Sequence, residues 1–225
     1  MSATLKVAPS IYAADLASLR FQVEELERNK VEELHLDIMD GQFVERMAFG
    51  ADHLQVLRGM TELPIEVHLM VEKPEYCIDS MVAAGADLIT FHQESTTRIL
   101  SCLQRIRKAG VKAGVALSPA TSEEAIRYVM DDIDKVLLMT VNPGEGGQQF
   151  LHSVVEKIRR VRELIGDRDI DLGVDGSVDA DTIGICHTAG ANAFVSGGFL
   201  FAGNIGDNIN ALRRALAGEQ TTIGG

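Results

Sequence analysis

The chain has 225 residues, of which 46% are apolar and 24% are charged, and its formal net charge at pH 7 is −12. This charge disfavours nucleic acid as a partner, because a phosphate backbone is bound through clusters of Lys and Arg. No apolar run approaches the roughly 20 residues that span a bilayer, and no secretory signal opens the chain. We therefore expect one cytoplasmic domain over residues 1–225, without membrane contact.

Short runs rich in Val, Ile and Leu alternate with amphipathic segments, which is typical of repeated βα units. Helical segments are expected at residues 15–29 and 151–164, and Gly85, Gly110 and Gly190 are predicted to end helices. Eight units of this kind predict an α/β protein with a closed (β/α)8 TIM barrel. The eight strands are predicted at residues 6–10, 33–37, 65–70, 88–92, 112–117, 135–140, 170–175 and 193–196.

The second predicted strand contains the sequence His35-Leu36-Asp37, which alternates two polar side chains with an apolar one. Residues two apart share a face of a strand, so His35 and Asp37 point to one place. His68 and Asp175 stand near the ends of two further strands, although a strand-end histidine such as His68, taken alone, is more often a hydrogen-bonded structural group. Mixed nitrogen and carboxylate donors suit zinc, iron, manganese or cobalt better than calcium, which predicts one divalent metal ion.

The carboxyl ends of the strands form the face of a TIM barrel that holds the active site. The lysines of the predicted strands, Lys6, Lys112 and Lys135, open their strands and therefore lie at the opposite face, which argues against Schiff-base catalysis. Seven polar residues are placed at the active-site face: Ser10, His35, Asp37, His68, His92, Thr140 and Asp175.

Glycine-rich segments follow the last three predicted strands, at residues 142–148, at Gly176 and at Gly197 with Gly198. The first is expected to lead into a helix and to expose backbone N–H groups at its N-terminus. Each segment alone is equally explained as a tight turn. Together they predict an anion site built from backbone amides, which Glu145 would oppose unless its carboxylate turns away.

Seven short motifs follow one another along residues 5–202: Ala8-Pro9-Ser10-Ile11, His35-Leu36-Asp37-Ile38-Met39-Asp40-Gly41, Val67-His68-Leu69-Met70, Ala84-Gly85-Ala86-Asp87, Met139-Thr140-Val141-Asn142-Pro143-Gly144, Gly146-Gly147-Gln148 and Val174-Asp175-Gly176. In kind and in order, these motifs resemble the ribulose-phosphate 3-epimerase family. The resemblance implies a ribulose-phosphate-binding TIM barrel, an isomerase of carbohydrate and pentose phosphate metabolism that binds a sugar phosphate and forms a homo-oligomer.

The reaction implied by this resemblance is inversion of carbon 3 of a ketose phosphate through an enediolate, most directly D-ribulose 5-phosphate to D-xylulose 5-phosphate. A hexulose 6-phosphate such as D-allulose 6-phosphate is the alternative substrate, and a non-catalytic sugar-phosphate binder is the alternative class. Asp37 and Asp175 would be the two acid/base groups, because inversion needs a base on each face of the carbon. No hydride is transferred, so neither nicotinamide nor flavin is expected.

The resemblance also implies the remaining roles in the site. The metal ligands would be His35, Asp37, His68 and Asp175. Ser10 and His68 would contact the substrate, and Met39, Met70 and Met139 would form an apolar wall, although core packing explains these methionines equally well. The substrate phosphate would be held by Gly144, Gly146, Gly147, Gly176, Gly197 and Gly198.

The chain departs from the family pattern at the phosphate end and in one loop. Glu45-Arg46 stands where members usually have Pro-Asn, and Glu145 replaces an aromatic residue. Ser177 replaces the usual second Gly after the strand-seven Asp, and Gly198 replaces a Ser. Related decarboxylase barrels carry Asp-x-Lys-x-x-Asp on strand three, and residues 66–70 of this chain lack that pattern, which disfavours decarboxylation.

Overall fold

The computed structural model describes residues 4–218, and its strands belong to one sheet. The strands are β1 Lys6–Pro9, β2 Leu34–Asp40, β3 Met47–Ala48, β4 Ile65–Met70, β5 Leu88–His92, β6 Lys112–Leu117, β7 Lys135–Met139, β8 Asp171–Asp175 and β9 Ala193–Ser196. Eight of them run parallel in the order β1-β9-β8-β7-β6-β5-β4-β2, and a bridge between Ser10 and His35 joins the two edges. The sheet thus closes on itself, which confirms the predicted TIM barrel.

Helices cover the outside of the barrel, and three of them end just before the glycines that the sequence predicts as helix stops. Gly85, Gly110 and Gly190 have φ angles of 98°, 82° and 115°, a left-handed conformation that glycine adopts without strain. Between β6 and β7 the connection is a 3-10 helix, Glu123–Asp132. The α-helices are α1 Leu19–Arg28, α2 Ala51–Arg58, α3 Ile78–Ala84, α4 Ile99–Lys108, α5 Val154–Ile165, α6 Ile183–Thr188 and α7 Ile205–Leu216.

Several predicted elements differ from the structure by a few residues, including the helix expected over residues 151–164, which is α5 Val154–Ile165. Two of these differences have a clear cause. The helix expected over residues 15–29 is a 3-10 turn followed by α1, because the Asp15 carboxylate accepts the Ala17 N–H and the Ser18 hydroxyl and so caps a separate turn. The strand expected over residues 33–37 extends to Asp40, because β2 pairs beyond its predicted end with the short antiparallel β3. Residues 41–46 therefore form a hairpin loop at the carboxyl end of the barrel.

The main apolar core lies between the outer face of the sheet and the helices. The interior of the barrel is divided: one part is a small apolar cluster, and another contains the buried charged residues Glu33, Glu66 and Lys135. Within residues 4–218, no helix has the length and apolarity required to cross a membrane. The apolar cluster inside the barrel consists of Ala8, Ala116, Leu137 and Val195.

Candidate active site

Four predicted ligands converge at the carboxyl ends of β2, β4 and β8. One ligand atom from each of His35, Asp37, His68 and Asp175 lies within 4.8 Å of the others. Oδ1 of Asp37 is 3.1 Å from His35 Nε2 and 3.0 Å from His68 Nδ1. Asp175 Oδ2 is 3.7 Å and 3.5 Å from the same two nitrogens. Two imidazoles and two carboxylates at this spacing can hold one divalent ion.

The carboxylates in and beside this cluster favour positive charge at its centre. Burial opposes a charged His35, yet Asp37 and Glu66 beside it hold the pKa of His35 well above its usual value. Burial likewise opposes the ionised form of Asp37, but His35 and His68 keep the pKa of Asp37 far below its usual value. Ser10 Oγ donates to Asp37 Oδ2 at 2.7 Å, which fixes the second oxygen. The donor set therefore fits a metal ion.

A buried network of charged side chains contacts His35 on its Nδ1 side. Glu66 Oε2 is 2.9 Å from His35 Nδ1 and accepts a hydrogen bond from Lys135 Nζ at 2.6 Å. Lys135 also donates to Glu33, and Thr90 donates its hydroxyl to the other oxygen of Glu66. This arrangement turns Nε2 of His35 toward Asp37, as a carboxylate behind a ligating histidine does in metal sites.

Sequence reasoning missed the role of Glu66, although its signal was present. Glu66 precedes His68 by two residues in a strand, the same alternation that singled out His35 and Asp37. Lys6 and Lys135 lie at the opposite end of the barrel, as predicted, and Lys135 is buried between two carboxylates. Coulombic attraction from Glu66 and Glu33 outweighs burial and raises the pKa of Lys135. An ammonium held in this way is no candidate for a Schiff base.

His68 is also connected to His92 and, through His92, to Glu94, a residue that the sequence analysis did not single out. His68 Nε2 lies 3.0 Å from His92 Nε2, and His92 Nδ1 lies 3.2 Å from Glu94 Oε2. Burial lowers the pKa of His92, whereas its hydrogen bond to Glu94 acts in the opposite direction. The position of His92 at a strand end was visible in the sequence, but its contact with His68 depends on the pairing of β4 with β5.

A pocket of about 470 Å³ opens directly above the cluster. Asp37 and Asp175 form part of its floor, and Ser10 lies beside them. Its lining contains no Lys or Arg among the described residues, so an anion there would be bound by backbone N–H groups or by uncharged polar side chains. The pocket lining includes all the predicted glycines and methionines: Gly144, Gly146, Gly147, Gly176, Gly197, Gly198, Met39, Met70 and Met139.

The glycine segment after β7 does not lead directly into a helix, which corrects the sequence-based expectation. α5 begins only at Val154, so the N–H groups of residues 142–148 are not those of a helix N-terminus. The Gln148 side chain holds this loop instead. It accepts the Asn142 N–H at 3.1 Å and donates to the Asn142 and Glu145 carbonyls at 2.7 and 3.0 Å.

The hairpin loop 41–46 packs against residues that line one side of the pocket. Val44 packs with Met39 and Met70, and the Phe43 ring lies against His92, with the ring centroids 4.8 Å apart and the ring planes tilted by 43°. A Cβ atom on Gly144 would lie 2.5 Å from Cβ of Val44, so the loop and the glycine segment are in close contact. The sequence indicated a loop here that departs from the family pattern, but not its packing against these residues.

A family model and the most similar relatives by sequence indicate the same family. A family model described as "Ribulose-phosphate 3 epimerase family" matches residues 6–201. Ribulose-phosphate 3-epimerase of Bacillus subtilis is 42% identical over 200 residues, which cover 88% of this chain and 92% of the relative. The Escherichia coli enzyme of the same name is 41% identical over 199 residues, covering 87% and 88%.

Solved structures agree on the fold. The 3-keto-L-gulonate-6-phosphate decarboxylase of Vibrio cholerae superposes with a TM-score of 0.74 at 14% identity, covering 97% of this chain and 100% of that one. The 3-hexulose-6-phosphate synthase of Salmonella typhimurium gives 0.72 at 14% identity, covering 96% and 100%. At this identity the likeness establishes the barrel architecture and nothing about the reaction.

Proposed function

This chain belongs to the ribulose-phosphate 3-epimerase family and is an epimerase that acts on carbohydrates, and we propose that it interconverts D-ribulose 5-phosphate and D-xylulose 5-phosphate. The proposal includes one divalent metal ion held by His35, Asp37, His68 and Asp175. The names of the relatives support the substrate, and the donor set of the cluster supports the metal.

The observation that carries the proposal is the position of the two carboxylates at the floor of one pocket. Asp37 comes from β2 and Asp175 from β8, and the strands β9 and β1 separate them in the barrel wall. The carboxylates therefore approach the pocket from different sides. Inversion at a carbon beside a carbonyl needs that arrangement, because the proton leaves one face and a proton returns to the other.

The chain's own residues can perform both proton transfers. One of Asp37 and Asp175 takes the proton from carbon 3, and the other gives a proton to the opposite face. Ser10 donates to Asp37 Oδ2 and thereby orients that carboxylate. When bound, the metal ion supplies Lewis acidity that stabilises the negative charge of the enediolate. The buried methionines at the strand ends exclude water from the reacting carbons.

The other end of the pocket is proposed to bind the phosphate through backbone N–H groups. The glycines that follow β7, β8 and β9 all face the pocket, and these glycines have no side chain that could block the approach of an anion. A hexulose 6-phosphate carries the same phosphate and the same reacting carbon. The substrate experiment therefore compares ribulose 5-phosphate with allulose 6-phosphate at equal concentration.

The experiment follows carbon 3 by NMR in D2O with protein reconstituted with Zn²⁺, Mn²⁺, Co²⁺ or Fe²⁺ after chelation. We expect deuterium at carbon 3 together with the appearance of xylulose 5-phosphate, and neither with the chelated protein. Restored turnover on adding one of these ions excludes irreversible damage by the chelator. Binding of ribulose 5-phosphate without deuterium exchange under all four metals would favour the non-catalytic binder and overturn the proposal.

A further inference from the structure

The two ring nitrogens of His68 face in different directions, although the whole side chain is buried. Nδ1 faces the cluster, 3.0 Å from Asp37 Oδ1 and 3.5 Å from Asp175 Oδ2. Nε2 faces away from the cluster and lies 3.0 Å from His92 Nε2. His92 in turn directs its Nδ1 at Glu94 Oε2, 3.2 Å away. Two hydrogen bonds thus connect a cluster residue to a carboxylate outside the cluster.

Between two facing ring nitrogens, one must donate a proton and the other must accept it. A nitrogen that binds a metal offers its lone pair, so a ligating Nδ1 places the proton of neutral His68 on Nε2. That proton is donated to His92 Nε2, and the proton of His92 is then on Nδ1. An ionised Glu94 only accepts hydrogen bonds, and Oε2 is the acceptor that this order requires.

Glu94 is itself fixed by contacts to a neighbouring segment. Its Oε1 accepts the Ser118 backbone N–H at 2.8 Å and the Thr121 hydroxyl. Oε2 is consequently the oxygen that remains for His92. The hydroxyl of Ser118 is 3.4 Å from His92 Nδ1, a longer contact than the one to Glu94.

We infer that His92 and Glu94 are positioning residues that hold His68 in the tautomer with its proton on Nε2. This inference rests on the proposed function, since it requires a metal ion at the cluster. Partners behind a ligating histidine raise metal affinity by roughly 10- to 100-fold. The His92 and Glu94 pair does for His68 what Glu66 does for His35, but it acts through an additional imidazole.

The first test reads the tautomers directly in the wild-type protein. Protein labelled with ¹⁵N at histidine is loaded with Zn²⁺ alone, and long-range ¹H–¹⁵N correlations identify the protonated ring nitrogens. We expect His68 to carry its proton on Nε2 and His92 to be neutral with its proton on Nδ1. A His92 protonated on Nε2, or on both nitrogens, would overturn the inference without any substitution.

The second test uses two substitutions of His92 that leave the net charge unchanged when His92 is neutral. His92→Gln can keep an oxygen toward His68 and an amide N–H toward Glu94, whereas His92→Leu offers neither. We expect the dissociation constant for Zn²⁺, measured by competition with a chromogenic chelator, to rise roughly 10- to 100-fold in His92→Leu and much less in His92→Gln. Equal affinities in both variants and the wild type contradict the inference.

The third test reverses the order of the hydrogen bonds. In Glu94→Gln the carbonyl oxygen keeps its two donors, so the amide N–H faces His92 Nδ1. His92 then carries its proton on Nε2 and donates it to His68 Nε2, which places the proton of His68 on Nδ1. We expect weaker Zn²⁺ binding than in Thr121→Val, which loses one contact to Oε1 and leaves Oε2 in place. Unchanged affinity in Glu94→Gln would contradict the inference.

Failure of the inference and failure of the proposed function give different results. Wild-type protein that binds no Zn²⁺ at the cluster removes the metal site, and the inference is lost with it. Wild-type protein that binds Zn²⁺ and epimerises, with affinity insensitive to His92→Leu and Glu94→Gln, removes only the inference. Thermal unfolding of each variant without metal shows whether the barrel is intact.

Discussion

The two ends of the pocket are built in different ways. At the end proposed to bind the metal, called the metal end, side chains on strands converge, His35 and His68 are fully buried, and each has hydrogen-bonding partners behind it. At the end proposed to bind the phosphate, called the phosphate end, loops present glycine backbone, Gly146 and Gly147 are exposed, and the charged side chain of Glu145 has the sign of the proposed substrate. One end offers preorganised side-chain charge, and the other offers backbone dipoles.

This difference has a physical reason. Buried charges are expensive unless they are paired, so the metal end needs a network that extends from one end of the barrel to the other. Backbone N–H groups carry no net charge, and Gly146 and Gly147 are exposed to water, so this end needs no buried counter-charge. Substitutions at the metal end should therefore lower both catalytic activity and stability, whereas substitutions at the phosphate end should change mainly the affinity for the substrate.

The largest expected effect is the loss of either acid/base group. Asp37→Asn and Asp175→Asn should each lower kcat by about 10²- to 10⁴-fold, because an amide cannot take the proton from carbon 3. Turnover of ribulose 5-phosphate is measured together with deuterium entry at carbon 3. Asp181→Asn makes the same chemical change at an exposed position and should have little effect. Substantial residual turnover in both cluster variants would contradict the two-base mechanism.

The next effect concerns stability at the metal end. Lys135→Met leaves Glu33 and Glu66 without their buried cation, and breaking a buried pair in this way costs about 3–5 kcal/mol. Urea unfolding of metal-free protein measures the loss. Lys112→Met is the matched control, because Lys112 also opens a strand but is exposed. A cost at Lys135 no larger than at Lys112 would show that the network does not stabilise the barrel.

The stability of the folded protein should depend on pH through Glu94. Burial opposes its ionisation, but hydrogen bonds from His92 and Thr121 prevail and lower the pKa of Glu94 from 4.5 to about 2. A lowered folded-state pKa gives stability that is present above pH 4.5 and is lost as the pH falls toward about 2. The stability difference between wild type and Glu94→Gln, measured on metal-free protein, should therefore shrink from pH 6 to pH 3. A constant difference would contradict this assignment.

At the phosphate end, Gly144→Ala should affect substrate affinity more than catalysis. Gly144 has a φ of +81°, and a Cβ atom there would lie 2.5 Å from Val44 Cβ, so the loop must shift. We expect KM for ribulose 5-phosphate to rise about tenfold, which corresponds to about 1.4 kcal/mol. Gly146→Ala meets open space and should raise KM less. Equal values of KM in the two variants would show that the contact with Val44 does not matter.

The smallest expected effect comes from the acidic side chain beside the glycines. Glu145→Gln removes a charge of the same sign as the phosphate, and we expect KM to fall by roughly two- to fivefold at low salt. The gain should diminish at high ionic strength, where exposed charges are screened. Glu163→Gln changes the net charge equally outside the pocket and should leave KM unaltered. A decrease in KM that does not depend on ionic strength would indicate a cause other than charge.

The sequence could predict much of the metal end because strand geometry is local. Alternation alone places His35 and Asp37 on one face, and repeated βα units bring distant strand ends to the same rim. The hairpin loop 41–46 was less predictable, since β3 has two residues and its pairing depends on a turn. The glycine segment after β7 was expected to lead directly into a helix, and this was wrong because α5 begins only at Val154 and the Gln148 side chain holds residues 142–148 as a separate loop.

By itself, the sequence determined the barrel, the family and the residues that form the cluster, because each depends on periodicity or on short motifs along the chain. Only the tertiary structure decided what supports those residues. Lys135 reaches Glu66 from 69 positions away, and His68 meets His92 from 24 positions away, through barrel closure and strand pairing. Such contacts join side chains on different strands, and no local pattern specifies which nitrogen or oxygen faces which partner.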